Sequence, residues 1–258
     1  MTAADRPPVR WSHLRHMGKS PAHYRHNLLT PFHPTPAMVM GSLVHELVLG
    51  GGRDKFAVYE GERRAGKEWE AFKAATPEGT TIVKPSEWEE ASNIADAVRA
   101  HPAAVDALIN GQRETPLSWD IAGRACHGTP DVLGQSLADL KVTNDASPDR
   151  FTWHARKMGW LGQLAWYYEA AKRTQPILPN RVSIVAVESS APYVVTVFDL
   201  TDEALLLGEK TWRLYFERLR ACEETDYWPG YVEGVARLDV PESEDELILE
   251  IDGEEISA

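Results

Sequence analysis

Residues 128–145, GTPDVLGQSLADLKVTND, constrain the fold more than any other stretch. Two runs here, RACHGTPDVLG and SLADLKVT, read as strands joined through the turn Gly134-Gln135-Ser136. Asp131 falls late in the first, and Asp139 and Lys141 fall in the second. Strands are usually poor in Asp and Lys. Side chains alternate along a strand, so Asp139 and Lys141 share one face while Leu140 points the other way, into the core. Two adjacent strands can aim two carboxylates at one point, and Asp131 and Asp139 are placed to do so.

The surrounding pattern sets the fold class. A first helix is expected over residues 11–26, broken near Ser20-Pro21, followed by a loop, LLTPFHPTP. Thr35 then Pro36 make a helix start, and the glycines at 50–52 make a stop for AMVMGSLVHELVLG. A polar stretch over 53–84 holds a short helix at KEWEAFKAA, and Pro85 opens another that ends near His101-Pro102. Three consecutive strands follow: ETPLSWDIA, RACHGTPDVLG and SLADLKVT. One long helix is expected over 151–173, then the strands VSIVAVES and YVVTVFDL, then an amphipathic helix, DEALLLGEKTWRLYFERLRAC. This order implies an α/β fold, a mixed central β-sheet flanked by helices.

The chemistry the pattern allows is metal-assisted. A hard cation such as Mg²⁺ takes carboxylate oxygens at about 2.1 Å, with waters and substrate phosphate completing its shell. Asp131 and Asp139 supply the carboxylates, and the Leu140 backbone carbonyl could reach the same ion. Such a cation lowers the pKa of bound water. Lys141 could orient that water or stabilise charge on phosphorus. An ion pair on an exposed edge strand would explain Asp-x-Lys equally well. His45, four residues after Gly41 on one helical face, could ligate metal or bond to phosphate, or be structural. Glu114 could add a third carboxylate or be a solvated strand end. Gln163 and Tyr167 sit four apart and share a face with Gly159, suited to contacting a DNA backbone, to buttressing the site, or to simple half-burial.

Composition bounds the function classes. No apolar run is long enough to span a membrane, and the N-terminus lacks the apolar middle of a signal peptide. Two distant cysteines, Cys126 and Cys222, imply a reduced compartment and exclude a four-cysteine zinc or iron–sulfur site. A net charge of −12 opposes nucleic-acid binding at face value. Eight acids and no bases lie in residues 241–258; without them the balance is 31 acids to 27 bases. The chain therefore divides into one domain over 1–240 and an acidic tail over 241–258, whose role is solubility, competition for a basic groove, or docking.

The order Gly-x-x-x-His (Gly41, His45), Pro-Asp (Pro130, Asp131), Asp-x-Lys (Asp139, Lys141) and Gln-x-x-x-Tyr (Gln163, Tyr167) resembles the RecB-like branch of the PD-(D/E)XK nucleases. More narrowly it resembles the RecE (exonuclease VIII) type of phage exonuclease, over about residues 11–231. The resemblance implies a restriction-endonuclease-like core and Mg²⁺-dependent hydrolysis of DNA, with Mn²⁺ able to substitute. It implies resection of linear double-stranded DNA from 5′ ends, leaving 3′ overhangs for a single-strand annealing recombinase in the bacterial cytoplasm. It carries metal binding to Asp131, Asp139, His45, Glu114 and Leu140, and catalysis to Lys141 with those side chains. Gln163 and Tyr167 match the downstream helix motif. Relatives of this type form homo-oligomeric rings that thread DNA through a basic channel; Arg25, Ser42, His23 and Lys19 are the candidates for it. Two departures stand out: Thr129 precedes Pro-Asp where many relatives have Arg, and the second carboxylate is Asp rather than Glu.

Two other readings stay open on sequence. One is a PD-(D/E)XK endonuclease or 3′-directed exonuclease, since the motifs define chemistry and not polarity. The other is an inactive DNA-end-binding or recombinase-docking module, against which the intact Asp131, Asp139 and Lys141 speak.

Overall fold

The computed structural model describes residues 6–50, 55–109 and 111–238, and the backbone of 248–251 and 254–257. The chain enters through α1 (Trp11–Leu14), a 3₁₀ turn (Arg15–Gly18) and α2 (Pro21–Leu29), broken at Ser20-Pro21 as the sequence indicates. Ser20 Oγ accepts from the His23 N–H at 3.3 Å and starts α2. α3 (Pro36–Leu49) opens on a Thr35 cap and closes on Gly50 at φ +67°. The polar stretch contains α4 (Lys67–Ala75) and also a parallel strand pair, β1 (Phe56–Val58) with β2 (Thr81–Val83). α5 (Pro85–Ala100) is followed at once by α6 (Pro102–Ile109). Pro102 ends one helix and begins the next, because its missing N–H costs nothing at a first helical position.

The main sheet has five strands in the order β3 (Gly111–Arg113), β6 (Val132–Gly134), β7 (Ser136–Thr143), β8 (Arg181–Glu188) and β9 (Val195–Asp199). Only the β7–β8 pair within it is parallel, so the expected mixed sheet is present. Its two faces are covered by separate apolar clusters. Leu137, Ile184 and Ala186 pack on the side of α8 (Trp160–Thr174) and α9 (Asp202–Thr225), with Trp166 and Trp212. Ala138, Leu140, Val185 and Val187 pack on the side of α3, α5 and α6.

Two expectations need correction. The three consecutive strands are four, and the first two, β4 (Leu117–Ile121) and β5 (Arg124–Gly128), form their own antiparallel hairpin. RACHGTPDVLG breaks at residues 129–131, where Pro130 has no N–H to give a ladder, and only its last part, β6, joins the main sheet. The long helix over 151–173 is two: α7 (Pro148–Met158) and α8, divided by Gly159 at φ +75°. Gly159 is thus a left-handed cap on α7, and its carbonyl accepts from the Gln163 N–H at 3.1 Å at the start of α8. The proposed tail lies mostly outside the described residues; within it β10 (Ile248–Ile251) pairs antiparallel with β11 (Glu254–Ser257).

Candidate functional site

The site forms where one β-ladder stops. β6 pairs with β7 only at Val132↔Ala138 and Leu133↔Leu137. Continuing that register by one step would face Asp131 with Asp139. Beyond Ala138, β7 stays paired with β8 up to Thr143 but has lost β6. Side chains take over the polar groups a strand would have met. The Leu140 N–H donates to Asp131 Oδ2 at 2.7 Å. The Leu140 carbonyl accepts from His45 Nε2 at 2.8 Å. His45 Nδ1 lies 3.5 Å from the same Asp131 oxygen. α3 is fixed for this task at its far end, where Arg113 Nη1 donates to the Leu49 carbonyl at 2.7 Å.

On the other face of β7, Asp139 and Lys141 meet α8. Lys141 Nζ pairs with Asp139 Oδ2, an oxygen that is buried and lacks a well-angled hydrogen bond. Asp139 Oδ1 accepts from Gln163 Nε2 at 3.3 Å, and the same nitrogen donates to the Tyr167 hydroxyl at 3.2 Å. Gln163 and Tyr167 therefore brace Asp139. Lys141 Nζ also stands 5.6 Å from the centre of the Trp160 ring.

Burial and charge pull these groups apart. Burial pushes the Asp139 carboxyl up to about 6, against the Lys141 ammonium and helped by the Asp131 charge. Burial acts on Asp131 in the same sense, but the His45 imidazolium, Lys141 and the Leu140 N–H outweigh it and hold Asp131 below the usual carboxylate range. Burial would lower His45, yet the Asp131 carboxylate raises it above its ordinary value. Two carboxylates with opposite shifts at one point are a common mark of a reaction centre.

The Glu114 carboxylate is paired with Lys55 in this arrangement, at 3.4 Å. The residue lies between β3 and β4 at φ +45°, and its N–H donates to the Asp131 carbonyl at 3.0 Å. Lys55 also lies 3.7 Å from the buried Glu46. The sequence reading passed over Glu46, although it stands next to His45. Among the described residues, no group of three or more His, Cys, Asp or Glu side chains is arranged to hold a metal. The donor set that remains, Asp131, Asp139 and the Leu140 carbonyl, consists of hard oxygens, and Asp139 Oδ2 has unused acceptor capacity. That fits a divalent cation of the Mg²⁺ type, which is commonly held by one or two carboxylates plus water and phosphate.

A groove of about 980 Å³ opens beside Lys141, Gln163 and Tyr167. Arg10, Arg15, His13, His16, His26, His33 and His127 line it, with Phe32, Met38 and Trp160. Burial, then the Arg15 charge, lowers His16 to about 4; burial, then Arg10, lowers His13 and His127. The fixed positive charge of the groove therefore comes from Arg10, Arg15 and Lys141. The channel residues named from sequence lie elsewhere. Arg25 pairs with Asp226 at 3.5 Å and packs over Trp228 at 5.5 Å, and His23 meets Tyr231. Ser42 and Lys19 are exposed and do not line the groove. Of α2, it is His26, Asn27 and Leu28, the residues just after Arg25, that reach it. Five of the nine histidines fall within residues 13–33, and that density was the available signal. Beside Gly41, an added Cβ would meet nothing within 4 Å, so no other part of the described chain packs there.

Residues 11–240 match the model of one protein family, the PDDEXK-like domain of unknown function (DUF3799). The chain belongs to this family. No curated protein matches its sequence. A crystal structure from Eubacterium rectale, described as "Putative exonuclease", shares the fold at 14% identity, with a TM-score of 0.62 over 90% of this chain and 89% of that one. In this PDDEXK-like chain, Pro130-Asp131 and Asp139-x-Lys141 stand at the fork between β6 and β7. PD-(D/E)XK nucleases generally use divalent metals. No described helix is long and apolar enough to cross a membrane.

Proposed function

We propose that this PDDEXK-like protein hydrolyses phosphodiester bonds of DNA with a divalent cation, Mg²⁺ first and Mn²⁺ as a substitute. One observation carries the reading: Asp131, Asp139, Lys141 and the Leu140 carbonyl converge at the end of the β6–β7 ladder, and Lys141 among them lines an arginine- and histidine-rich groove. Asp131, Asp139 and the Leu140 carbonyl would hold the cation. When bound, it would supply a Lewis acid that neutralises phosphate charge and acidifies water.

The chain's own groups do the rest. Lys141 presents an ammonium to the negative charge that builds on the phosphoryl oxygens as water attacks and the sugar oxygen leaves. Gln163 holds the Asp139 carboxylate from behind, with Tyr167 holding Gln163. His45 fixes the Leu140 carbonyl and the Asp131 carboxylate together. Arg10 and Arg15 draw the phosphate backbone into the groove although the whole chain is acidic.

The finer reading is a RecE-type exonuclease acting on linear duplex DNA from 5′ ends, as a homo-oligomeric ring that hands 3′ overhangs to an annealing recombinase. The motif order supports it, and so does the description of the Eubacterium rectale structure. The test is digestion of linear duplex with Mg²⁺, one strand labelled at its 5′ end. Release of 5′ mononucleotides with closed circles spared is expected. Cutting of circles would replace the exonuclease with an endonuclease, and end binding without cleavage under Mg²⁺ or Mn²⁺ would leave a docking module.

A further inference from the structure

α7 follows the catalytic strand and carries an unusual face. Arg150, Trp153, His154 and Lys157 fall at i, i+3, i+4 and i+7, along one side of the helix. Trp153 is 62% exposed, although it sits in a chain that buries Trp166 and Trp212 completely. Lys157 Nζ lies 4.7 Å from the centre of its ring. A second groove, of about 630 Å³, runs along this face and is bordered by Val142 and Asn144, just after Lys141 on β7. The two grooves meet through a ring contact. His154, in the smaller groove, packs edge-on against Trp160 at 5.1 Å, and Trp160 lines the larger one beside Lys141. Trp153 and His154 thus border one groove, and the His154–Trp160 contact joins that groove to the lysine.

The charges beside the series are mixed. Asp145 and Asp149 also border the smaller groove, and Arg150 pairs with Asp145 at 3.6 Å. The Arg150 side chain is 82% exposed, and exposed pairs of this kind are weak, so the guanidinium can turn to a phosphate. Two carboxylates in the wall disfavour the dense charge of a duplex. Flat rings flanked by separate cations suit a strand whose bases are unpaired, because every base offers a face for stacking.

We propose that this face of α7 binds an unpaired DNA strand next to the catalytic lysine, with bases stacked on Trp153 and phosphates met by Arg150 and Lys157. The proposal rests on the phosphodiesterase reading and adds the form of the substrate. Its test measures equilibrium binding of a labelled oligodeoxythymidine of about 12 nucleotides, and of a duplex of the same length. The protein is the full chain carrying Lys141→Ala, with chelator present. Adding Trp153→Ala is expected to weaken oligodeoxythymidine binding about 5–100-fold, while Trp153→Phe stays within about threefold. Duplex binding should change less than about threefold in either variant. Equal single-strand affinity with and without Trp153→Ala, or loss of single-strand and duplex binding alike, overturns the proposal, as does an absence of single-strand binding. Digestion of linear duplex by the unsubstituted chain is scored separately. Stacking loss without any digestion would sustain the α7 surface and overturn the nuclease reading.

Discussion

The two halves of β7 behave as different structures. Residues 136–138 are buried, and Leu137 and Ala138, fully so, pair with strands on both sides. Residues 139–143 keep β8 but have no β6, and they carry Asp139 and Lys141. The first half is fixed by burial and a complete ladder. The second is fixed by side chains that replace a missing strand: Asp131 on the Leu140 N–H, His45 on its carbonyl, Gln163 on Asp139. A three-residue β6 therefore does two things at once. It closes the core beside Leu137, and by ending early it leaves polar backbone and two carboxylates next to Lys141, which lines the groove.

Substitutions in the two halves should separate activity from stability. Lys141→Ala should lower DNA hydrolysis by about 10²–10³-fold or more, while in a melt at about pH 4, where the Asp139 carboxyl is protonated, its melting temperature stays close to that of the parent. Digestion of linear duplex at saturating Mg²⁺ measures the first and a thermal melt the second; retained hydrolysis would remove Lys141 from the site. Leu137→Ala should do the reverse. Loss of a fully buried leucine costs about 2–5 kcal/mol of stability, read by urea unfolding, and the folded fraction should keep its turnover. If turnover per folded molecule collapsed too, the halves would not be separable.

Two smaller effects sharpen the contrast. Gln163→Ala should lower kcat about 10-fold with little change in KM, since Gln163 positions Asp139 through its hydrogen bond. A change confined to KM would place it on the DNA instead. Asp139→Asn should raise the melting temperature in chelator at pH 8, by about 2–4 °C for each kcal/mol recovered. The sign follows from linkage. Asp139 titrates near 6 in the folded chain and near 3.8 in the unfolded one, so the folded state is penalised as pH rises through that window. Below pH 4 both forms are protonated and the two proteins should melt alike. Adding Mg²⁺ should stabilise the parent and not the variant.

The sequence showed the second half of β7 better than its surroundings. Asp139-x-Lys141 is legible because alternation along a strand is fixed by geometry, and Thr35-Pro36 and Gly50 are legible because caps act locally. The Gln163–Tyr167 spacing gave one face of α8, which now stands against Asp139. Arg25 was not legible: its partners Asp226 and Trp228 lie some two hundred residues away, and charge alone does not say where a side chain points. Glu114 was read from its place at a strand end and from the family resemblance, and its pairing with Lys55, fifty-nine residues earlier, was not legible in the sequence. The break at Gly159 was hidden because glycine in a helical pattern is tolerated as often as it caps, and the ring of Trp11 that packs against it comes from the other end of the chain.

That ring belongs to a segment with a timing problem. Val9 exchanges backbone hydrogen bonds with Ala125 and His127 on the outer edge of the β4–β5 hairpin, and Trp11 fills the space over Gly159 and Gly162. The first described residues are thus held by partners made more than a hundred positions later. At about 5–20 residues per second, on the order of ten seconds of translation separate Val9 from its strand. Throughout that interval Val9 and Trp11 must stay apolar, uncovered and unpaired, the part of the chain most open to a chaperone or a protease.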